Sequence, residues 1–119
     1  MRTVADAMVA GVPAIGPGAT LQEASAAMLA AGTHAAVVLR DGKLAGLLAA
    51  EDIAAAMASG ADVTHSRADE LAHRDVVVAR RDEPLPEAHL RMRRAQHELA
   101  AVLDAGGRPV GLLIDRSEE

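Results

Sequence analysis

The feature that most constrains this chain is that it repeats itself. Leu21-Gln22-Glu23-Ala24 returns as Leu85-Pro86-Glu87-Ala88, Met28 as Met92 and Val38-Leu39 as Val102-Leu103, all 64 positions on. Ala5-Asp6 matches Ala68-Asp69 at a spacing of 63. Gly42 and Gly46-Leu47-Leu48 match Gly107 and Gly111-Leu112-Leu113 at 65. Each one-residue drift falls in a stretch read as loop, where insertions cost little. The Gly and Met matches lie outside the strong Ala bias and keep their order. The expectation is one domain over 1–119, made of a first repeat at about 1–60 and a second at about 61–119.

Both copies read alike locally. Thr3-Val4-Ala5-Asp6 and Ser66-Arg67-Ala68-Asp69 have the form of a capping box and predict a short opening helical turn. Apolar strands are expected near Pro13–Gly16 and Val76–Ala79. A longer helix starts at Thr20, with Glu23 three residues on, and puts Leu21, Ala24, Met28 and Leu29 on one face. Its counterpart presents Leu85, Ala88, Met92 and Ala95. Two strands, His34–Arg40 and Lys43–Ala49, flank Asp41-Gly42, the pairing that most strongly signals a tight hairpin. The second hairpin turns on Ala105-Gly106-Gly107. A closing helix over about Glu51–Ser59 has no full equivalent, because the second copy runs only through Asp115-Arg116-Ser117-Glu118-Glu119. The class is therefore α/β.

Composition narrows function. Half the residues are apolar, yet there is no Phe, Tyr or Trp, so Ala, Val, Leu, Ile and Met must fill the core. A net charge of −5 with no aromatic side chains argues against nucleic acid, which calls for cationic surface or stacking. Cysteine is absent, which removes disulfides, thiolate nucleophiles and zinc–thiolate sites. Asp6 and Pro13 spoil any leader-like stretch, and the longest uncharged runs, Ala7–Gln22 and Ala24–Leu39, hold 16 residues each. That is short of the ~20 apolar residues of a membrane span. No membrane association and a cytoplasmic location are expected.

No catalytic constellation stands out. Gly16-Pro17-Gly18 lacks the following Lys-Ser/Thr of a phosphate loop, and there is no GxSxG elbow. His65, Asp69 and His73 are spaced four apart and would align on a continuous helix, but Gly60 and Ser66 argue against one, so no metal is expected. Arg74, Arg80, Arg81, Arg91, Arg93 and Arg94 concentrate positive charge in the second copy. They are read as solvated surface balanced by Asp75, Asp82, Glu83 and Glu87.

Taken together, Asp6-Ala7-Met8, Thr20-Leu21-x-Glu23-Ala24-x-x-x-Met28, Asp41-Gly42-Lys43-Leu44-x-Gly46-Leu47-Leu48 and Glu51-Asp52-Ile53 resemble a tandem pair of CBS domains, also called a Bateman module. The resemblance implies two β-α-β-β-α repeats related by a pseudo-twofold axis, the final helix of the second being truncated. It implies a stand-alone, non-catalytic regulatory module that dimerises and senses an adenosine-containing ligand (AMP, ADP, ATP or S-adenosylmethionine) on behalf of an unknown regulated protein. By the same resemblance the ribose-holding carboxylate falls on Asp52, and the phosphate-side hydroxyl position falls on Ala49. Base contacts fall on Val12, Pro13 and Ala14 with Ala36 and Val37. In the second copy the matching positions are Ser117 and Ile114, and a Pro common on the hairpin strand is replaced by Val37 and Ala101. One cleft is thus half equipped and the other has lost its ribose anchor. The alternative expectation is a dimerising interaction module with no nucleotide ligand.

Overall fold

The structure is a computed structural model and describes residues 2–115. In chain order the elements are α1 (Val4–Ala7), β1 (Val9–Ala10), β2 (Ala14–Ile15), α2 (Leu21–Ala31), β3 (Ala35–Arg40), β4 (Lys43–Ala49) and α3 (Ala50–Ala58). Then follow α4 (Ala68–Leu71), β5 (Val77–Arg80), α5 (Leu85–Ala95), β6 (Leu99–Leu103) and β7 (Pro109–Ile114). Local chemistry sets these boundaries. At the start of α2 the Glu23 N–H donates to Thr20 Oγ1 (3.1 Å) and the Thr20 N–H to Glu23 Oε1 (2.8 Å), a reciprocal cap. Gly32 stops the helix in the left-handed region at φ 71°. Asp41 and Gly42 both have positive φ (55° and 77°), as a two-residue hairpin turn requires. In the second hairpin Asp104 Oδ1 accepts the N–H groups of Gly106 and Arg108, each at 2.9 Å, and so shapes the longer turn.

The chain forms two compact units, Gly11–Asp75 and Met1–Ala10 with Val76–Glu119. The contiguous unit holds a three-stranded sheet ordered β2-β3-β4, with β2 parallel and β4 antiparallel to β3. Its core joins Leu21, Ala24 and Met28 of α2 to Ala36, Val38, Leu48, Ile53 and Ala68. The composite unit holds a four-stranded sheet ordered β1-β7-β6-β5. Its core is Val4, Ala79, Leu85, Ala88, Met92, Ala100, Val102 and Leu113. Met28 (3% exposed) and Met92 (0%) are buried at matching places on α2 and α5. Each buried side chain of this size contributes about 1.5–3 kcal/mol by leaving water. Neither core contains an aromatic ring, so alanines at 24, 36, 88 and 100 let helix and sheet close together.

The compact units are cut elsewhere than the sequence repeats. The opening turn of each repeat joins the sheet of the other. The Leu21 N–H donates to Ser66 O (2.9 Å) as the Leu85 N–H does to Arg2 O (3.0 Å). The Ala68 N–H donates to Ala19 O (2.7 Å) as the Val4 N–H does to Glu83 O (3.0 Å). Beyond each turn a short extended stretch lies against the edge of the hairpin, where Leu47 pairs with His73 and Leu112 with Val9. Gly46 and Gly111 are needed at these crossings. A β-carbon would stand 3.0 Å from the His73 carbonyl oxygen at Gly46, and 2.7 Å from that of Val9 at Gly111.

Several sequence expectations change here. The opening turns match at 64, not 63: the cap of α4 is Arg67 rather than Ser66, and buried Val4 corresponds to buried Ala68. Leu29 is 85% exposed, because it stands about 100° around the helix from the Leu21–Ala24–Met28 stripe. Ala95, in the last turn before Gln96 ends α5, is also exposed. The truncated final helix concerns residues 116–119, outside the described residues.

Candidate functional site

In the contiguous unit β4 runs directly into α3. Ala49 is the N-cap and supplies no side-chain acceptor, while Glu51 and Asp52 occupy the first turn. There they complement the positive end of the helix dipole. The Ala50 N–H donates to His34 O at 2.8 Å, which ties the start of α3 to the start of β3. Beside it, β2 lies parallel to β3 with Ala14 opposite Val37, and the Val37 N–H donates to Pro13 O at 2.9 Å. Val37 in turn faces Leu47, and Ala35 faces Ala49. Side chains alternate across a strand, so Ala14, Val37, Leu47 and Ala49 share the sheet face turned away from the α2 core. Ala36 goes the other way, into that core, and is fully buried in the central strand opposite Leu48. Val12 and Pro13 are half-buried and Ala14 is exposed. Val37 and Leu47 on that face are buried (0% and 5% exposed), so what is accessible is the edge at 12–14, with one carboxylate, Asp52, on the helix that follows β4.

Sequence inspection missed the partner of that carboxylate. Asp52 Oδ2 lies 2.9 Å from His73 Nε2; the Asp52 side chain is 29% exposed and that of His73 59%. No sequence signal couples residues 21 positions apart on different elements. His65, Asp69 and His73, aligned by spacing, each go to a separate partner, because α4 spans only Ala68–Leu71. His65 Nδ1 lies 2.7 Å from Asp62 Oδ2, and Asp69 Oδ2 lies 3.7 Å from Arg40 Nη2. The Thr64 hydroxyl, with His65 behind it, holds the Asp62 carboxyl at a pKa of about 2. Among the described residues no group of three His, Asp or Glu is placed to hold a metal ion.

Two arginines of the second copy, Arg91 and Arg93, are committed to carboxylates. Arg91 forks onto Glu83 at 2.7 and 2.8 Å and also donates to Val78 O at 2.7 Å. Chiefly through the hydrogen bonds from Arg91, the Glu83 carboxyl is held below its usual range. Arg93 Nε lies 3.3 Å from Asp115 Oδ2. Arg80 and Arg81 line a hollow of about 450 Å³ together with Asp82 and Asp104. Arg74 lines another of about 340 Å³ with Arg40 and Asp69. At the second-copy site positions, Ala101 is buried, Ile114 is half-buried, and Ser117 lies outside the described residues.

The sequence model of the CBS domain matches twice, over residues 4–59 and 68–117. The chain belongs to the CBS domain family. It is a CBS pair, and solved structures similar to it include other such pairs. The CBS domain pair of protein MJ0100, in complex with 5′-methylthioadenosine and S-adenosyl-L-methionine, superposes with a TM-score of 0.80 at 23% identity, over 96% of this chain and 90% of that one. Hypoxic Response Protein I, with two coordinated zinc ions, gives 0.72 at 28% identity, over 96% and 94%. The cytosolic domain of the Mg2+ channel MgtE in complex with ATP gives 0.73 at 24% identity, over 91% and 44%. Among curated sequences, homoserine O-acetyltransferase of Methanococcoides burtonii is 34% identical over 112 residues. That of Methanohalobium evestigatum is 31% identical over 111. The CBS pair covers 22% of each of those proteins, about a fifth of their length. No described helix is long and apolar enough to cross a membrane.

Proposed function

We propose that this CBS pair is a regulatory module that senses one adenosine-containing ligand per chain, in the cytoplasm and as a homodimer. The observation that carries the reading is Asp52, a partly exposed carboxylate in the first turn of α3, where β4 runs into the helix. Val12, Pro13 and Ala14, at the accessible edge of the sheet, would meet the adenine, and a carboxylate accepts two hydrogen bonds from a vicinal diol. The reading is supported by similar CBS structures that hold 5′-methylthioadenosine, S-adenosyl-L-methionine and ATP. Ala49 offers no hydroxyl toward a phosphate, so phosphate count should matter little.

Calorimetric titration with AMP, ATP, S-adenosylmethionine and 5′-methylthioadenosine tests this. Losing hydrogen bonds to a charged group costs about 1.5–3 kcal/mol, so Asp52→Ala should weaken binding about 10- to 150-fold. A 2′,3′-dideoxy ligand should lose affinity for the wild type and hardly at all for the variant. Two ligands per chain, or an unaffected variant, would refute the assignment. Sedimentation at tens of micromolar tests the dimer. The second reading, an interaction module without nucleotide, is favoured by the occupation of Asp52 by His73, and it predicts no heat with any of the four ligands.

A further inference from the structure

His73 sits beside the one carboxylate that a ribose would use. Its backbone is fixed independently of its ring: the Leu47 N–H donates to His73 O at 2.9 Å, and the His73 N–H to Leu47 O at 2.8 Å. Gly46 makes that approach possible, since a β-carbon there would crowd the same carbonyl. The imidazole, by contrast, is more than half exposed and has room to leave Asp52 without disturbing the sheet edge. A vicinal diol uses both carboxylate oxygens, and Nε2 already engages Oδ2 at 2.9 Å. In the composite unit the matching edge position is Val9, which has no side-chain donor. The ring on Asp52 is therefore not a requirement of the shared backbone pattern.

We infer that His73 is a built-in competitor for the ribose-binding carboxylate, which an incoming adenosine ligand must displace. This rests on the assignment of Asp52 as the ribose anchor. It gives the module a threshold: ligand binds only where its contacts with Asp52 outweigh those of the resident imidazole. An exposed side-chain contact of this kind holds back binding by only a few-fold. His73→Ala should therefore tighten 5′-methylthioadenosine or AMP binding about two- to fivefold. His73→Gln, which keeps a donor of similar reach, should bind nearly as the wild type does. In an Asp52→Ala background the His73→Ala change should have no effect on affinity. Equal or weaker binding by His73→Ala, with Asp52→Ala still impaired, would overturn the competitor role and leave the ribose anchor standing. No binding by wild type and His73→Ala alike, or full binding by Asp52→Ala, would overturn the anchor and the competitor with it. Binding that appears only in His73→Ala would support both.

Discussion

The contiguous unit and the composite unit share one hydrogen-bond frame but not one surface chemistry. The turn-to-helix bonds of Ser66 and Arg2, and the edge pairings of His73 and Val9, recur 64 positions apart. Yet His73 reaches a carboxylate where Val9 reaches none, and Thr20 caps its helix where Pro84 cannot. Only the composite unit carries the Arg91–Glu83 fork; the matching positions in the other are Ala27 and Ala19. Duplication has preserved what the backbone needs and released what side chains do. A ligand site can therefore persist in one copy and vanish from the other without cost to the fold.

The strongest test of the shared frame is the buried methionine pair. Met28→Ala and Met92→Ala should each cost ~2–5 kcal/mol, read by urea unfolding followed in the far-ultraviolet, since there is no Trp or Tyr to report. Costs that differ by more than about 2 kcal/mol would show that the two cores are not equivalent. Next come the crossing glycines. Overpacking typically costs ~1–3 kcal/mol, and Gly111→Ala should lie above Gly46→Ala, because its β-carbon meets a carbonyl at 2.7 rather than 3.0 Å. Hydrogen exchange should show the loss concentrated at β1 and β7 for Gly111, and at Ala72–His73 and β4 for Gly46.

The caps should separate the copies at a smaller scale. Thr20→Ala should cost about 1 kcal/mol, whereas Pro84→Ala removes no cap hydrogen bond and should cost less. Smallest is the Glu83 effect. Its carboxyl is held below the ordinary value in the folded chain, so its stabilisation is full above the ordinary carboxylate range and fades as pH falls from there through the lowered value of the folded chain. For a partly exposed pair the amount is ~0.2–1 kcal/mol, and Glu83→Gln should flatten that part of the acid limb. An unchanged acid limb would show that the fork contributes nothing net.

Much of the fold could be read from the residues alone. Asp41-Gly42, the Thr20/Glu23 box and the two methionines each act over a few residues, so spacing reveals them. What escaped is long-range pairing. That α4 joins the first repeat's sheet, or that α1 joins the second's, depends on strand edges that no local pattern marks. The off-by-one match at Ala5-Asp6 has the same cause: Arg67 caps nothing with its side chain, so the neighbouring Ser66 looked the better start. The resemblance puts base contacts on both Ala36 and Val37, but successive strand residues face opposite ways, and Ala36 points into the α2 core. The place of Ala49 and Asp52 at the start of α3 was legible, but the imidazole across from Asp52 was not.

The exchanged opening segments also set an order of assembly. Everything in Gly11–Asp75 has been synthesised once Asp75 is made, and its pairings close modest loops. The pairing of Val9 with Leu112 instead closes a loop of about a hundred residues, at a higher entropic cost. At ~5–20 residues per second, the end of β7 emerges about two to eight seconds after Asp75. Throughout that interval β1 exists without the strand it will join. The contiguous unit is thus free to fold during synthesis, while residues 3–10, made before it, dock last.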